Sequence, residues 1–170
     1  GINKSRPDKL ENGREMMKRN IGRTSDLVQD LLSYSKERES EPEPCFPFHV
    51  ATEVCELMGQ KAAANNVEII KNFSPDLGEL VLDPRTLYRS LLNLVSNAID
   101  ACIFDESAEK NHRVEVSSKI EEGNFLRFDV TDNKTSMTEE VKEKLFSSFF
   151  STKGSQGTGL GLLVTRKLIE

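Results

Sequence analysis

The segment from Asp83 to Ile103 constrains the chain more than any other. Asp83-Pro84 reads as a helix start: an acidic side chain to accept the first free N–H groups, then a proline at the first helical position. On a wheel of ~100° per residue, Leu87, Leu91, Leu94, Val95, Ala98 and Cys102 fall in one arc, which Leu92 and Ile99 extend. Arg89, Ser90, Asn93, Ser96, Asn97 and Asp100 gather on the opposite side. A helix divided in this way lays its apolar stripe on another layer and keeps a polar face for other work. That face carries two asparagines one turn apart, so their amides project together. Asparagine is a poor residue for a helix interior. A solvated face accommodates two amides without giving them a role. A metal–phosphate site gives them one, because Mg²⁺ prefers oxygen ligands, keeps several waters and is held in nucleotide sites mainly by phosphates.

The rest of the pattern supplies the other layer. Phe48–Ala64 reads as a helix with a short extended entry, Val67–Phe73 and Glu79–Leu82 as strands. Arg113–Ile120 and Phe125–Thr131 read as two strands joined by Glu121-Glu122-Gly123-Asn124, a hairpin signal. Thr138 with Glu139-Glu140 opens a short helix through Phe146, and Leu162–Ile169 is apolar and helix-like. Helices and strands mix without regular βαβ units. The reading is α+β: a two-layer sandwich, with helices on one face of a mixed sheet.

Residues 10–39 stand apart as one long helix. Met17, Ile21, Thr24, Val28, Leu31 and Ser35 recur in steps of four and three, with Leu27 and Leu32 widening the stripe. That narrow seam is of the coiled-coil or bundle type, and a lone helix cannot bury it. It packs either on its own globular domain or in a bundle with a second chain; the second reading is preferred. Glu41-Pro42-Glu43-Pro44 then ends the helix and forms a stiff linker.

Downstream lie further chemistry-bearing blocks. Asp132 closes a strand. Phe149-Phe150-Ser151-Thr152-Lys153 leads into Gly154-Ser155-Gln156-Gly157-Thr158-Gly159-Leu160-Gly161, which runs into the last helix. Free N–H groups and the positive end of a helix dipole at such a loop favour a phosphate. The run matches neither the P-loop pattern nor a dinucleotide fingerprint after a strand.

In order, these blocks resemble the ATP-binding domain of two-component sensor histidine kinases. Leu91-Leu92-Asn93-Leu94-Val95-Ser96-Asn97-Ala98 is similar to the family's N box, and Val130-Thr131-Asp132-Asn133-Lys134-Thr135-Ser136-Met137 to its G1 box. Leu145-Phe146-Ser147-Ser148-Phe149-Phe150 resembles the F box, and Gly157-Thr158-Gly159-Leu160-Gly161-Leu162 the G2 box. The resemblance covers roughly residues 45–170 and, more weakly, 1–40. It implies the Bergerat ATP-binding fold behind one dimerisation-type helix. Residues 1–40 would be the second helix of a dimerisation and histidine-phosphotransfer hairpin, 41–47 the proline-rich linker, and 48–170 the catalytic domain without the family's final hairpin. It implies ATP and Mg²⁺ as cofactors, with Asn97 and Asn93 toward the metal. Asp132 would accept from the adenine amino group, Met137 line the base pocket, and Asp100, Lys153, Gly157, Thr158, Gly159, Leu160 and Gly161 complete the nucleotide site.

Two departures from the family pattern bear on binding. The family reads D-x-G-x-G where this chain has Asp132-Asn133-Lys134-Thr135-Ser136, so Lys134 and Ser136 replace glycines that could adopt positive φ or approach a ligand closely. Ser148 stands where the F box often has proline. The alternative function is therefore a degenerate module of this fold, with weak or no ATP binding, that acts as a dimerisation or interaction domain. The related hydrolytic ATPases carry a glutamate where this chain has Asn93, so hydrolysis would lack a positioned base, while phosphoryl transfer depends mostly on positioning and charge.

Composition narrows partners and place. Of 170 residues, 30% are charged and the mean hydropathy is −0.48, and no apolar run approaches the roughly 20 residues of a membrane span. Net charge is −5, which argues against nucleic acid. Cys45, Cys55 and Cys102 form no CxxC pair, which fits a reducing cytoplasm. The chain begins with glycine and stops inside a helical pattern, so it reads as a fragment, such as the cytoplasmic part of a larger sensor. Its two histidines, His49 and His112, lie on no recognisable acceptor helix, so the phosphoaccepting helix is expected to be missing and the fragment unable to phosphorylate itself. The partners implied are a homodimer through residues 10–39 and a response-regulator receiver domain, with no membrane contact by this piece.

Overall fold

The computed structural model describes residues 6–35, 40–74, 77–105, 111–122, 125–134, 137–147, 150–151 and 157–169. The chain divides into two units, Arg38–Lys142 with Leu168–Glu170, and Gly1–Glu37 with Glu143–Lys167.

The first of these is the α+β sandwich. It contains β1 (Glu43–Cys45), α2 (Pro47–Ala64), β2 (Val67–Phe73), β3 (Leu80–Leu82), α3 (Pro84–Ile103), β4 (His112–Glu121) and β5 (Phe125–Asp132), with α4 (Glu139–Lys144) after them. The main sheet has the order β2-β4-β5. It is mixed: β2 runs parallel to β4, from Val67 opposite His112 to Phe73 opposite Ser118. β4 and β5 are antiparallel, from Glu121 opposite Phe125 to Val114 opposite Asp132. A parallel pair needs a long crossover, and α3 lies in it. On β4, Val114, Val116 and Ser118 are buried while the alternating residues are not, so one face of the sheet is covered. α2 and α3 pack on each other and on this sheet. The core they enclose includes Ala51, Val54, Cys55, Met58, Leu91, Val95, Ala98, Ile99, Cys102, Val114 and Val116.

α3 takes the orientation its pattern demands. Leu91, Val95, Ala98, Ile99 and Cys102 are buried. Ser90 differs from the wheel, which puts it on the polar side: it is 5% exposed, and its hydroxyl has no hydrogen-bond partner among the described residues. It stands at the margin of the apolar arc, ~40° from Leu94, where a small side chain is readily covered. α2 ends at Asn65, whose N–H bonds the Ala62 carbonyl, and Asn66 then takes the left-handed φ of 56°. Asparagine tolerates that region better than other side chains.

The segment read as a linker is partly strand. β1 pairs antiparallel with β3, Glu43 opposite Leu82 and Cys45 opposite Leu80, with Pro44 between them opposite Val81. Asp83 fastens this two-stranded ribbon to the start of α3. Its Oδ1 accepts the N–H groups of Arg85 (3.0 Å) and Thr86 (3.1 Å). Its Oδ2 accepts the Thr86 hydroxyl (3.1 Å) and the Glu41 N–H (3.3 Å). The Glu41 carboxylate also meets the Arg85 guanidinium at 3.4 Å, although both side chains are largely exposed.

In the other unit, α1 (Arg6–Ser35) is a helix of 30 residues, about 45 Å long at 1.5 Å per residue. Its apolar stripe is open where it is described: Met17 is 62% exposed, Ile21 70% and Val28 48%. The side chains of Leu27, Leu31 and Ser35 lie outside the described residues. This unit also holds α5 (Gly161–Ile169), where Val164 and Thr165 are buried. The Arg166 guanidinium stands 5.7 Å from the Phe146 ring centre, a cation–π contact that ties α5 to the segment after α4.

Asp83 should contribute to the acid sensitivity of this fold. Burial pushes its carboxyl up, but the hydrogen bonds from Thr86, Glu41 and Arg85 outweigh burial and hold it below its usual 3.8. A depressed folded-state pKa stabilises above the unfolded value and loses that effect as pH falls through the folded one. Asp83→Ala should lower stability by about 1–2 kcal/mol at neutral pH. The gap from the unmodified chain should close as pH drops below ~4, as urea unfolding at several pH values will read.

Candidate functional site

α3 presents the amide stripe as a consequence of its packing. With Leu91, Val95 and Ala98 turned into the core, Asn93 and Asn97 come to lie half-buried on the opposite flank. Asp100 follows at the next turn, also half-buried. It is not an isolated charge. Its Oδ1 lies 2.6 Å from Nζ of Lys61, in the last turn of α2, and the same ammonium donates to Ser96 Oγ at 3.2 Å. The stripe therefore combines two neutral amides with a carboxylate already neutralised.

Asp132 is the last residue of β5 and is half-buried, opposite Val114 in the register. The turn that follows is built on side-chain oxygens. Asp132 Oδ1 accepts the Lys134 N–H at 3.0 Å. Asn133 Oδ1 accepts the Arg113 N–H at 3.0 Å, and Asn133 Nδ2 donates to the Asn111 carbonyl at 2.8 Å. These bonds brace the end of β5 against the beginning of β4 and fix where Asp132 stands. They also bear on the backbone conformation at Lys134. Among the described residues only Asn66 is a non-glycine with positive φ, so Lys134 occupies the family's glycine position with ordinary backbone. Asp132 keeps acceptor capacity for a second donor, since a carboxylate has about four lone-pair sites. Ser136 lies outside the described residues; Met137 is 48% exposed.

In the unit that carries α1 and α5, the glycine run is described from Gly157 onward, and Lys153 and Gly154 lie outside the described residues. Gly159 has φ 67°, where a side chain is strained, so glycine is required there by the backbone itself. Thr158 Oγ1 accepts the Leu160 N–H at 3.3 Å, and Leu160, 3% exposed, gives its carbonyl to Val164 at 2.9 Å as α5 begins. Gly157, Thr158, Gly159 and Gly161 are half-buried.

Two neighbours of these residues are not legible in the sequence. Lys61 reads in sequence as a cation completing the dipole of α2, and only the register of α2 on α3 brings it to Asp100. Asn133 reads as the variable residue after Asp132, although its short amide suits an Asx-type bracket. Among the described residues no group of three or more His, Cys, Asp or Glu could hold a metal by itself.

The profile of the family described as histidine kinase-, DNA gyrase B- and HSP90-like ATPase matches residues 82–170, which carry α3, β5 and the glycine run. The chain belongs to this family, as an ATP-binding domain of the histidine kinase kind. The sensor histidine kinase ZraS of Klebsiella oxytoca is 29% identical over 155 residues, 91% of this chain and 32% of that protein. Histidine kinase ThkA, solved in complex with the response regulator protein TrrA, superimposes with a TM-score of 0.74 at 28% identity, over 96% of this chain and 45% of that one. ShkA, solved full-length in complex with AMPPNP, gives 0.72 at 26% identity, over 84% of this chain and 30% of that one. The chain spans about a third or less of the length of the curated sensor kinases it matches.

Gly159 offers a local test of the loop. Gly159→Ala should speed hydrogen exchange of the Val164 amide by about 5–30-fold, since left-handed backbone costs an L-residue about 1–2 kcal/mol.

Proposed function

We propose that this chain is the ATP-binding kinase core of a two-component sensor histidine kinase, which binds Mg-ATP and donates the γ-phosphoryl group to a histidine of the intact protein for relay to an aspartate of a response regulator. The observation that carries the reading is the half-buried Asn93–Asn97 stripe on α3 together with Asp132 braced at the end of β5, in one unit and within the family match. ShkA supports it, because that relative was solved with AMPPNP, and ThkA supports a receiver-domain partner, because it was solved with TrrA.

The roles follow the chemistry of each residue. Asp132 accepts from the adenine amino group, and Met137 flanks the base. Asn97 and Asn93 hold Mg²⁺ by their amide oxygens, and the metal supplies charge neutralisation on the phosphates. Lys153 and the Gly157–Gly161 backbone, with Thr158 and Leu160, serve the phosphates. Transfer requires that the histidine nitrogen attack the γ-phosphorus while the bond to the bridging oxygen breaks and ADP leaves; no general base on α3 is needed for this. The cytoplasm, where ATP is available, is the proposed location. No described helix is long and apolar enough to cross a membrane. Lys134 has ordinary backbone, so strain from a lost positive-φ glycine gives no support to the degenerate-module alternative.

Calorimetry tests the reading directly. The chain should bind ATP in a Mg²⁺-dependent manner, and Asp132→Asn should cut preference for adenine over guanine nucleotides by about tenfold or more, because the pairing of a buried carboxylate with the amino group is lost. Absence of ATP binding at millimolar concentration would leave the interaction-module reading in its place.

The homodimer is proposed on α1. Met17, Ile21 and Val28 are open to solvent, and burying each such side chain contributes roughly 1.5–3 kcal/mol. The chain should sediment as a dimer at micromolar concentration. Replacing Ile21 and Val28 together by glutamate should give folded monomers, since four charges would then occupy a two-chain seam.

A further inference from the structure

We propose that Lys61 is a positioning residue for the triphosphate: it compensates the charge of Asp100 and fixes it on the amide stripe, so that a polyanion can approach Asn93 and Asn97. The inference rests on the nucleotide reading and deepens it.

The argument begins with helix geometry. At ~100° per residue, Asn93, Asn97 and Asp100 fall within about 60° of one another on α3, with Ser96 next to Asp100 on the far side. A ligand lying along the two amides therefore meets the Asp100 carboxylate in the same arc. Asp100 is the only acidic residue of α3. Left alone, a half-buried carboxylate repels a ligand that brings several negative charges, and in partly desolvated surroundings the repulsion is weakly screened.

Lys61 removes that repulsion. Its Nζ lies 2.6 Å from Asp100 Oδ1, and Ser96 Oγ at 3.2 Å holds the ammonium from the next turn of α3. Both side chains are partly withdrawn from water, 38% exposed for Lys61 and 20% for Asp100. The lysine is itself well anchored. It sits in the last turn of α2, where the helix dipole favours a cation, and its carbonyl accepts from Asn65 Nδ2 at 2.8 Å. The bond therefore runs between two helices whose mutual packing is part of the core.

An ordinary inter-helix tie and a positioning role differ in one measurable way. A tie acts on all ligands alike through fold stability, whereas a charge on the stripe acts on phosphates and not on the nucleoside. The test is calorimetry of the full chain with Mg-ATP and with adenosine. Lys61→Met should weaken Mg-ATP about tenfold or more, as the loss of one compensating cation beside a polyanion does, and leave adenosine within about twofold. Adding Asp100→Asn to Lys61→Met should restore most of the loss, and Lys61→Arg alone should retain binding. Asp100→Asn by itself, which does not depend on the lysine variant folding, should raise the ratio of Mg-ATP to adenosine affinity. Equal weakening of both ligands by Lys61→Met, or failure of Asp100→Asn both to rescue and to raise that ratio, overturns the role of Lys61 while the nucleotide reading stands. Binding of neither ligand by the unmodified chain overturns the nucleotide reading and this role with it.

Discussion

The Asp83 carboxylate is the joint on which the sheet-bearing unit depends. Two of its bonds close the first turn of α3, a third fixes Thr86, and the fourth holds the backbone at Glu41. A helix start that is pinned in this way also fixes the helix phase. Once the phase is set, apolar residues at helical spacing determine which flank is left over, and that flank carries Asn93 and Asn97. The placement of candidate ligands some ten residues away thus follows from one capping residue plus the burial of Leu91, Val95, Ala98 and Cys102. Burial of these side chains supplies the larger share of the energy; the cap supplies the register.

What could be read in the sequence was what is local. The N-cap of α3, its apolar arc, the strands read at 67–73 and 125–131 and the mixed α+β architecture rest mostly on patterns within single elements, and all are present, the last strand running one residue further to Asp132. β1 escaped notice because it has three residues with a proline in the middle, a composition that reads as a breaker. A proline is compatible with a short ribbon whose strands each keep an open side, and Pro44 opposite Val81 is that case. Ser90 shows the converse: periodicity assigns sides, but the margin of an arc is decided by what packs there. The Lys61–Asp100 pair was out of reach for a third reason, since it depends on how α2 is registered against α3.

The turn after Asp132 shows how a departure from a family pattern can be absorbed. A glycine position matters when φ is positive or when backbone must come close to a ligand. At Lys134 the backbone is ordinary, and its N–H is already used by Asp132 Oδ1. Asn133 adds two bonds to the β4 side. The sequence thus exchanges glycine freedom for side-chain bracing, and the aspartate stays at the end of its strand. At Gly159, where φ is 67°, no such exchange is available, and the glycine remains.

The electrostatics of α3 bear on which chemistry the proposed site favours. Hydrolysis of ATP by a protein needs a group that takes a proton from water, and such a base must be free to become protonated. The sole carboxylate of α3 is already engaged with an ammonium at 2.6 Å, so it does not stand ready to activate a water. Asn93 and Asn97 cannot serve as bases at all. Transfer to a nucleophile that arrives with its own lone pair, such as an imidazole nitrogen, makes no such demand, and needs only a positioned γ-phosphate with its charge offset. A stripe of neutral amides beside a neutralised acid therefore suits a domain that holds ATP intact until an acceptor is presented.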